Sequence, residues 1–167
     1  RDWWESAVAP LPAGNIVVQP RNRGTGIGIL LQLLRVLSID PDATVVLLPS
    51  DHFVADESVL AAALRRAIAR VAGAPDNILL LGIRPSLPDP ELGYIVPAFT
   101  EAQAGDDHVL AIARFSEKPD VALARELIAM GALWNAFILV AVGSTLLELF
   151  ERQLPLLRTP YSQQDLA

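Results

Sequence analysis

Three runs, TVVLL at 44 to 48, NILLLGI at 77 to 83 and LWNAFILVAV at 133 to 142, are apolar almost without interruption. A strand with one wet face alternates apolar and polar residues. A strand that does not alternate has to be covered on both faces. Between these runs the period changes. Val59, Leu60, Ala63, Leu64, Ala67, Ile68 and Val71 recur at helical spacing, and Arg65, Arg66 and Arg70 mark the wet side. Strand, helix, strand, helix, strand predicts an α/β chain: a mostly parallel sheet with helices on both faces.

The remaining elements follow from punctuation. Asp2 to Val8 reads as the end of a helix and Asn15 to Val18 as a short strand. Thr25 to Ile39 is apolar on nearly all sides, which predicts a buried helix, and Asp40-Pro41-Asp42 ends it. Asp56 is placed to cap the helix that stops at Gly73. Gly93 to Ala98 and His108 to Phe115 predict two strands joined by a polar loop, an antiparallel pair. Asp120 to Met130 predicts a helix with Gly131 just past its end, and Ser144 or Thr145 is placed to cap the last one, to about Gln153.

Composition bounds the function. Hydrophobic residues make up 52% of 167 and charged residues 19%, which excludes a disordered chain and fits a single domain over 1 to 167. No apolar run approaches the roughly 20 residues of a membrane-spanning helix. RDWWESAVAP does not resemble a secretory signal. With no cysteine there is no disulfide framework and no thiolate metal site, and a cytoplasmic location is the expectation. The net charge of −6 argues against a broad nucleic-acid surface, yet a local pair of cations can still hold a small anion. The mean hydropathy of +0.38 points to apolar surface covered by an interface, with a homo-oligomer as one reading.

Four regions carry chemistry-bearing residues: QPRNRGTGIG at 19 to 28, LPSDH at 48 to 52, LGIRPSLPDPELGYI at 81 to 95, and RFSEKPD with GALWNAF at 114 to 120 and 131 to 137. In open α/β sheets the ligand lies beyond the carboxyl ends of the strands, which is where Asp51 falls. In this order the motifs resemble the sugar-1-phosphate nucleotidyltransferases, most of all their mannose-1-phosphate guanylyltransferase branch, over roughly residues 15 to 150. The resemblance implies a Rossmann-like sheet of the nucleotide-diphospho-sugar transferase type. It implies reaction of GTP with mannose 1-phosphate, assisted by Mg²⁺, to give GDP-mannose and pyrophosphate.

The resemblance also implies roles. Asp51 would bind Mg²⁺ and, with Lys118, carry the chemistry. Lys118 would hold the sugar phosphate; Glu117, Gly93 and Asn135 would meet the sugar; Gln19, Arg23, Gly24 and Thr25 would meet the nucleotide. A lysine is a compact cation suited to phosphate, and a carboxylate accepts from two hydroxyls. Pro119 is expected to hold Lys118 extended. An amide within an apolar strand calls for partners, and Trp134 beside it reads as core. Each role has a plainer counterpart: a turn acid at Asp51, a solvated charge pair at Glu117 and Lys118, a strand-start glycine at Gly93, surface charge at Arg21 and Arg23.

The likeness is incomplete. The family's first strand and its G-x-G-x-R loop have no counterpart here, and Arg1 opens without a methionine inside a helix-like stretch, so the chain reads as an incomplete enzyme or as a non-catalytic sugar-nucleotide-binding or assembly subunit. Asp165 is the candidate for a second metal-binding aspartate, in a poorly matching tail.

Overall fold

The computed structural model describes residues 10–19, 21–98 and 109–153. The helix read over 2–8, the polar loop at 100–107, His108 and Asp165 lie outside the described residues. After a 3-10 turn at Ala13–Asn15 come α1 (Thr25–Ile39), β1 (Thr44–Leu47), α2 (Glu57–Gly73), β2 (Leu79–Ile83), β3 (Tyr94–Pro97), β4 (Ile112–Ser116), α3 (Val121–Ala129), β5 (Leu133–Val142) and α4 (Gly143–Gln153). The strand expected at 15 to 18 does not form. Asn15 N–H closes instead on the Pro12 carbonyl at 2.8 Å, as suits a segment led by prolines and Gly14.

The described residues separate into two compact units whose boundaries fall inside β1 and β5. One takes in residues up to Val45, Pro75–Asn77 and those from Ala141 on; the other takes in Val46–Ala74 and Ile78–Val140.

In the first unit α1 and α4 pack together, with Gly26 facing the Phe150 ring. The expectation that α1 is buried all round is not met. Leu30 and Leu33 are its buried residues, and Val36 and Ile39 are 39% and 65% exposed. Apolar composition states what a helix face tolerates, not what covers it. Neither Ser144 nor Thr145 caps α4, because the helix starts one residue earlier, at Gly143. Gly143 N–H donates to the Ala43 carbonyl at 2.8 Å, and Thr145 Oγ1 donates to the Pro75 carbonyl at 2.8 Å.

The second unit holds the ladder that positions the site. β2 pairs with β5, β5 with β3, and β3 with β4, and all three pairings are antiparallel. The expected β3–β4 hairpin is therefore present, while the mostly parallel sheet is corrected. An unbroken apolar run reports that a strand is covered and not which way its neighbours run. Coverage is itself uneven: β3 is buried throughout, whereas the end of β2 is exposed.

Local chemistry accounts for the helix ends. Asp56 caps α2, accepting from Ser58 N–H at 3.0 Å and Ser58 Oγ at 2.6 Å, which holds its carboxyl below the ordinary 3.8. Asp120 caps α3 by accepting from Leu123 N–H at 2.7 Å. Gly131, at φ 82°, ends α3 in a left-handed turn closed by Ala132 N–H on the Leu127 carbonyl at 2.9 Å. That turn feeds β5 into a cluster of Tyr94, Val96, Ala124, Leu127 and Ala132, against which Trp134 packs as expected.

β5 is not regular. Leu81 faces Ile138 but Gly82 faces Asn135, so Ala136 and Phe137 bulge out of register. Phe137 takes φ 55°, and its N–H is accepted by Asn135 Oδ1 at 3.0 Å. Gly82 fits beside this bulge because it has no side chain: a Cβ there would lie 2.6 Å from Leu133 Cδ1 and 2.8 Å from Leu133 Cβ. Leu133 Cβ cannot rotate away. Gly82→Ala is expected to lower the unfolding free energy by about 1–3 kcal/mol, the usual cost of overpacking, in a urea titration with unchanged slope. An unchanged midpoint would show that the bulge yields freely.

Candidate active site

The second unit brings together three of the residues singled out for a sugar. Asn135 N–H donates to the Gly93 carbonyl at 2.8 Å, which ties β5 to the residue just before β3. On the other side of Gly93 lies the Glu117 carboxylate. A Cβ on Gly93 would stand 2.7 Å from Glu117 Oε2 and 3.7 Å from Asn135 Cβ. The missing side chain thus opens the space in which acid and amide meet over bare backbone. Glu117 is exposed and carries no hydrogen bond among the described residues, so both its oxygens are free to accept. Asn135 is half-buried rather than buried, and its Oδ1 is occupied by the bulge. Its amide nitrogen has no partner among the described residues and is the donor it can offer.

Lys118 follows Glu117 in the chain, and its backbone corrects an expectation. It is not extended but lies at φ 42°, in the left-handed region. A non-glycine residue there costs about 1–2 kcal/mol, and such outliers gather at functional sites. The buried Pro119 and the Asp120 cap of α3 follow at once, so the chain has to turn within one residue at the end of β4. Lys118 Nζ lies 3.5 Å from Glu91 Oε2, a partner that the sequence did not single out.

Glu91 owes its place to the proline-rich loop. Tyr94, 1% exposed, donates from its hydroxyl to the Asp89 carbonyl at 3.0 Å and accepts from Asp89 N–H at 2.9 Å. Asp89 Oδ1 then accepts from Glu91 N–H at 2.8 Å. A core tyrosine thereby anchors the loop that presents an acid to Lys118. No local pattern announces this, because the tyrosine lies across a turn from the loop it holds.

Asp51 makes no hydrogen bond or ion pair with this group. It is exposed in the turn after β1, and among the described residues it makes no hydrogen bond or ion pair. The next residue, His52, lines a cavity of about 460 Å³ with Phe53, Val54, Glu57, Leu60, Ala61 and Leu64. Among the described residues no three metal-ligating side chains cluster. Asp51 offers a free, unpaired carboxylate, which suits a hard cation whose other ligands are phosphate oxygens and water.

The four residues singled out for a nucleotide belong to the first unit. Gly24 takes φ 89° just ahead of α1, where a side chain is disfavoured, and donates its N–H to Asn22 Oδ1 at 2.9 Å. No side chain caps α1, so its first N–H groups are open to an anion at the exposed Arg23 and Thr25. Gln19 lies along this helix, its Oε1 3.5 Å from the Cβ position of Gly28, and its Nε2 is buried without a partner.

Residues 9–154 match the family model described as nucleotidyl transferase. The chain belongs to the nucleotidyl transferase family. It is 33% identical over 134 residues to the xanthan biosynthesis protein XanB of Xanthomonas campestris pv. campestris (strain B100), covering 80% of this chain and 27% of that protein. It is 31% identical over 146 residues to the mannose-1-phosphate guanylyltransferase of Escherichia coli (strain K12), covering 84% of this chain and 30% of that protein. The chain thus spans less than a third of these relatives' length. A solved structure from Thermus thermophilus, described as mannose-1-phosphate geranyltransferase, superposes with a TM-score of 0.76 at 30% identity, covering 93% of this chain and 44% of that one. A second, described as mannose-6-phosphate isomerase from Helicobacter pylori, shares the fold at TM-score 0.68 and 23% identity, covering 83% of this chain and 49% of that one.

For this nucleotidyl transferase chain, the packing at Gly93 makes a separable prediction. Glu117 Oε2 is the far end of a flexible side chain, so Gly93→Ala should swing the carboxylate aside at little cost. We expect unfolding free energy within about 0.5 kcal/mol of the wild type, as for other surface changes. A crystal structure of the variant should show Glu117 displaced from its place over the backbone. A large loss of stability with Glu117 unmoved would mean that the contact is rigid.

Proposed function

We propose that the chain contributes the sugar-phosphate side of a nucleotidyl transfer in which GTP and mannose 1-phosphate give GDP-mannose and pyrophosphate. One observation carries the reading: Glu117, Gly93 and Asn135 meet at one point, with Lys118 next in the chain. Glu117 accepts from sugar hydroxyls, the Asn135 amide nitrogen donates to one, and bare Gly93 backbone lets the ring approach. Lys118 neutralises the sugar phosphate. Mannose and guanine are chosen because relatives of this chain bear the name mannose-1-phosphate guanylyltransferase.

The reaction joins two anions. A sugar-phosphate oxygen attacks the α-phosphorus of GTP, a new P–O bond forms, and the bond from the α-phosphorus to the bridging oxygen breaks as pyrophosphate leaves. Transfers of this kind ask the protein to position groups and to neutralise charge. Mg²⁺, when bound, supplies positive charge between the phosphates, and Asp51 is the residue that would hold it. Gln19 has the orphaned amide that a purine edge satisfies. Gly24 and the start of α1 offer backbone N–H groups to a phosphate.

The 167 residues contain no G-x-G-x-R segment to cradle a triphosphate. On this reading they bind sugar phosphate without turning it over at a useful rate. Calorimetric titration with mannose 1-phosphate should show binding that Lys118→Ala weakens roughly 10- to 100-fold, the equivalent of about 1.5–3 kcal/mol for a hydrogen bond to a charged group. The same 167 residues, given GTP, Mg²⁺ and mannose 1-phosphate, should release no pyrophosphate above background. Equal affinity in the Lys118 variant would remove the site assignment, and brisk pyrophosphate release would remove the claim about the loop.

A further inference from the structure

We infer that Glu91 is a built-in competitor for the phosphate at Lys118, a carboxylate that a sugar phosphate displaces on binding. The inference rests on the proposed role of Lys118 and adds a residue to it. Lys118 Nζ lies 3.5 Å from Glu91 Oε2, and both side chains are well exposed, at 59% and 81%. A chance pair at that exposure would be of little interest. This one is set up from both ends. Lys118 is held at φ 42° between β4 and the buried Pro119, which fixes where its side chain starts. Glu91 is held by its N–H on Asp89 Oδ1, and Asp89 is held through its own N–H and carbonyl by the buried Tyr94 hydroxyl.

The consequence is electrostatic. An incoming phosphate takes over the cation, and Glu91 is left as a like charge close to a dianion. Two unit charges about 4 Å apart in water interact by a little under twice RT, so the penalty is modest and falls with salt. Neutral sugars pay nothing. Glu91 therefore sets how tightly the site holds sugar phosphate and shortens the stay of an anion at Lys118.

The test is calorimetry on the whole chain with mannose 1-phosphate. Glu91→Gln should bind about threefold tighter than the wild type at low ionic strength, the scale of an exposed ion pair. The gap should close in roughly 0.5 M salt, where the screening length is only a few ångströms. Glu126→Gln, the same charge change on the exposed face of α3, should bind like the wild type. Equal or weaker binding by Glu91→Gln overturns the inference, as does an equal gain in Glu126→Gln. Binding that Lys118→Ala abolishes while Glu91→Gln leaves it unchanged sinks this inference alone. A wild type that binds no sugar phosphate sinks the reading of the site, and this inference with it.

Discussion

The hydrogen bond from Asn135 N–H to the Gly93 carbonyl, at 2.8 Å, joins the chain entering β3 to the start of β5. Beside it, Gly93 leaves room for the Glu117 carboxylate because it has no side chain. With a Cβ, Glu117 could not lie where it does, 2.7 Å from that position. β5 breaks register directly beyond Asn135, with Phe137 at φ 55° and the Asn135 side chain closing the bulge. An acid, an amide and a strip of bare backbone are thereby held together by strands that are themselves pinned to the Tyr94–Leu127 cluster. Packing in the core and chemistry at the rim are two ends of the same strands.

Charge at this rim is arranged sparingly. Among the described residues no side chain around Gly93 is a buried ion, and the charged groups there stand in water. A site of this kind can release as readily as it binds, since exposed pairs are weak and screened by salt. The pairing of Lys118 with Glu91 fits that economy. The cation has a carboxylate opposite it, and the backbone that carries that acid is anchored through Asp89 and Tyr94.

Much of this was legible in the chain. Asp56 caps the helix it precedes, and the helical run of Thr25 to Ile39 has those very bounds, because capping and period are local properties. Glu117 and Asn135, drawn from separate motifs, both lie beside Gly93. Strand direction was not legible. An apolar run says that a strand is covered, and the antiparallel ladders around β5 follow from the path of the chain between them. Asp51 shows the same limit: its place after a strand was foreseen, but nothing local says how far it lies from Lys118.

By itself, then, the sequence determined the alternation of helices and strands, the Asp56 cap and the family motifs, because each depends on neighbours a few positions away. Only the tertiary structure decided that β5 bulges at Phe137, that Lys118 turns left-handed before Pro119, and that Tyr94 carries the loop which sets Glu91 against Lys118. The bulge and the pairing of Glu91 with Lys118 are settled between segments distant along the chain, where packing has to satisfy several strands at once and no local pattern records the result.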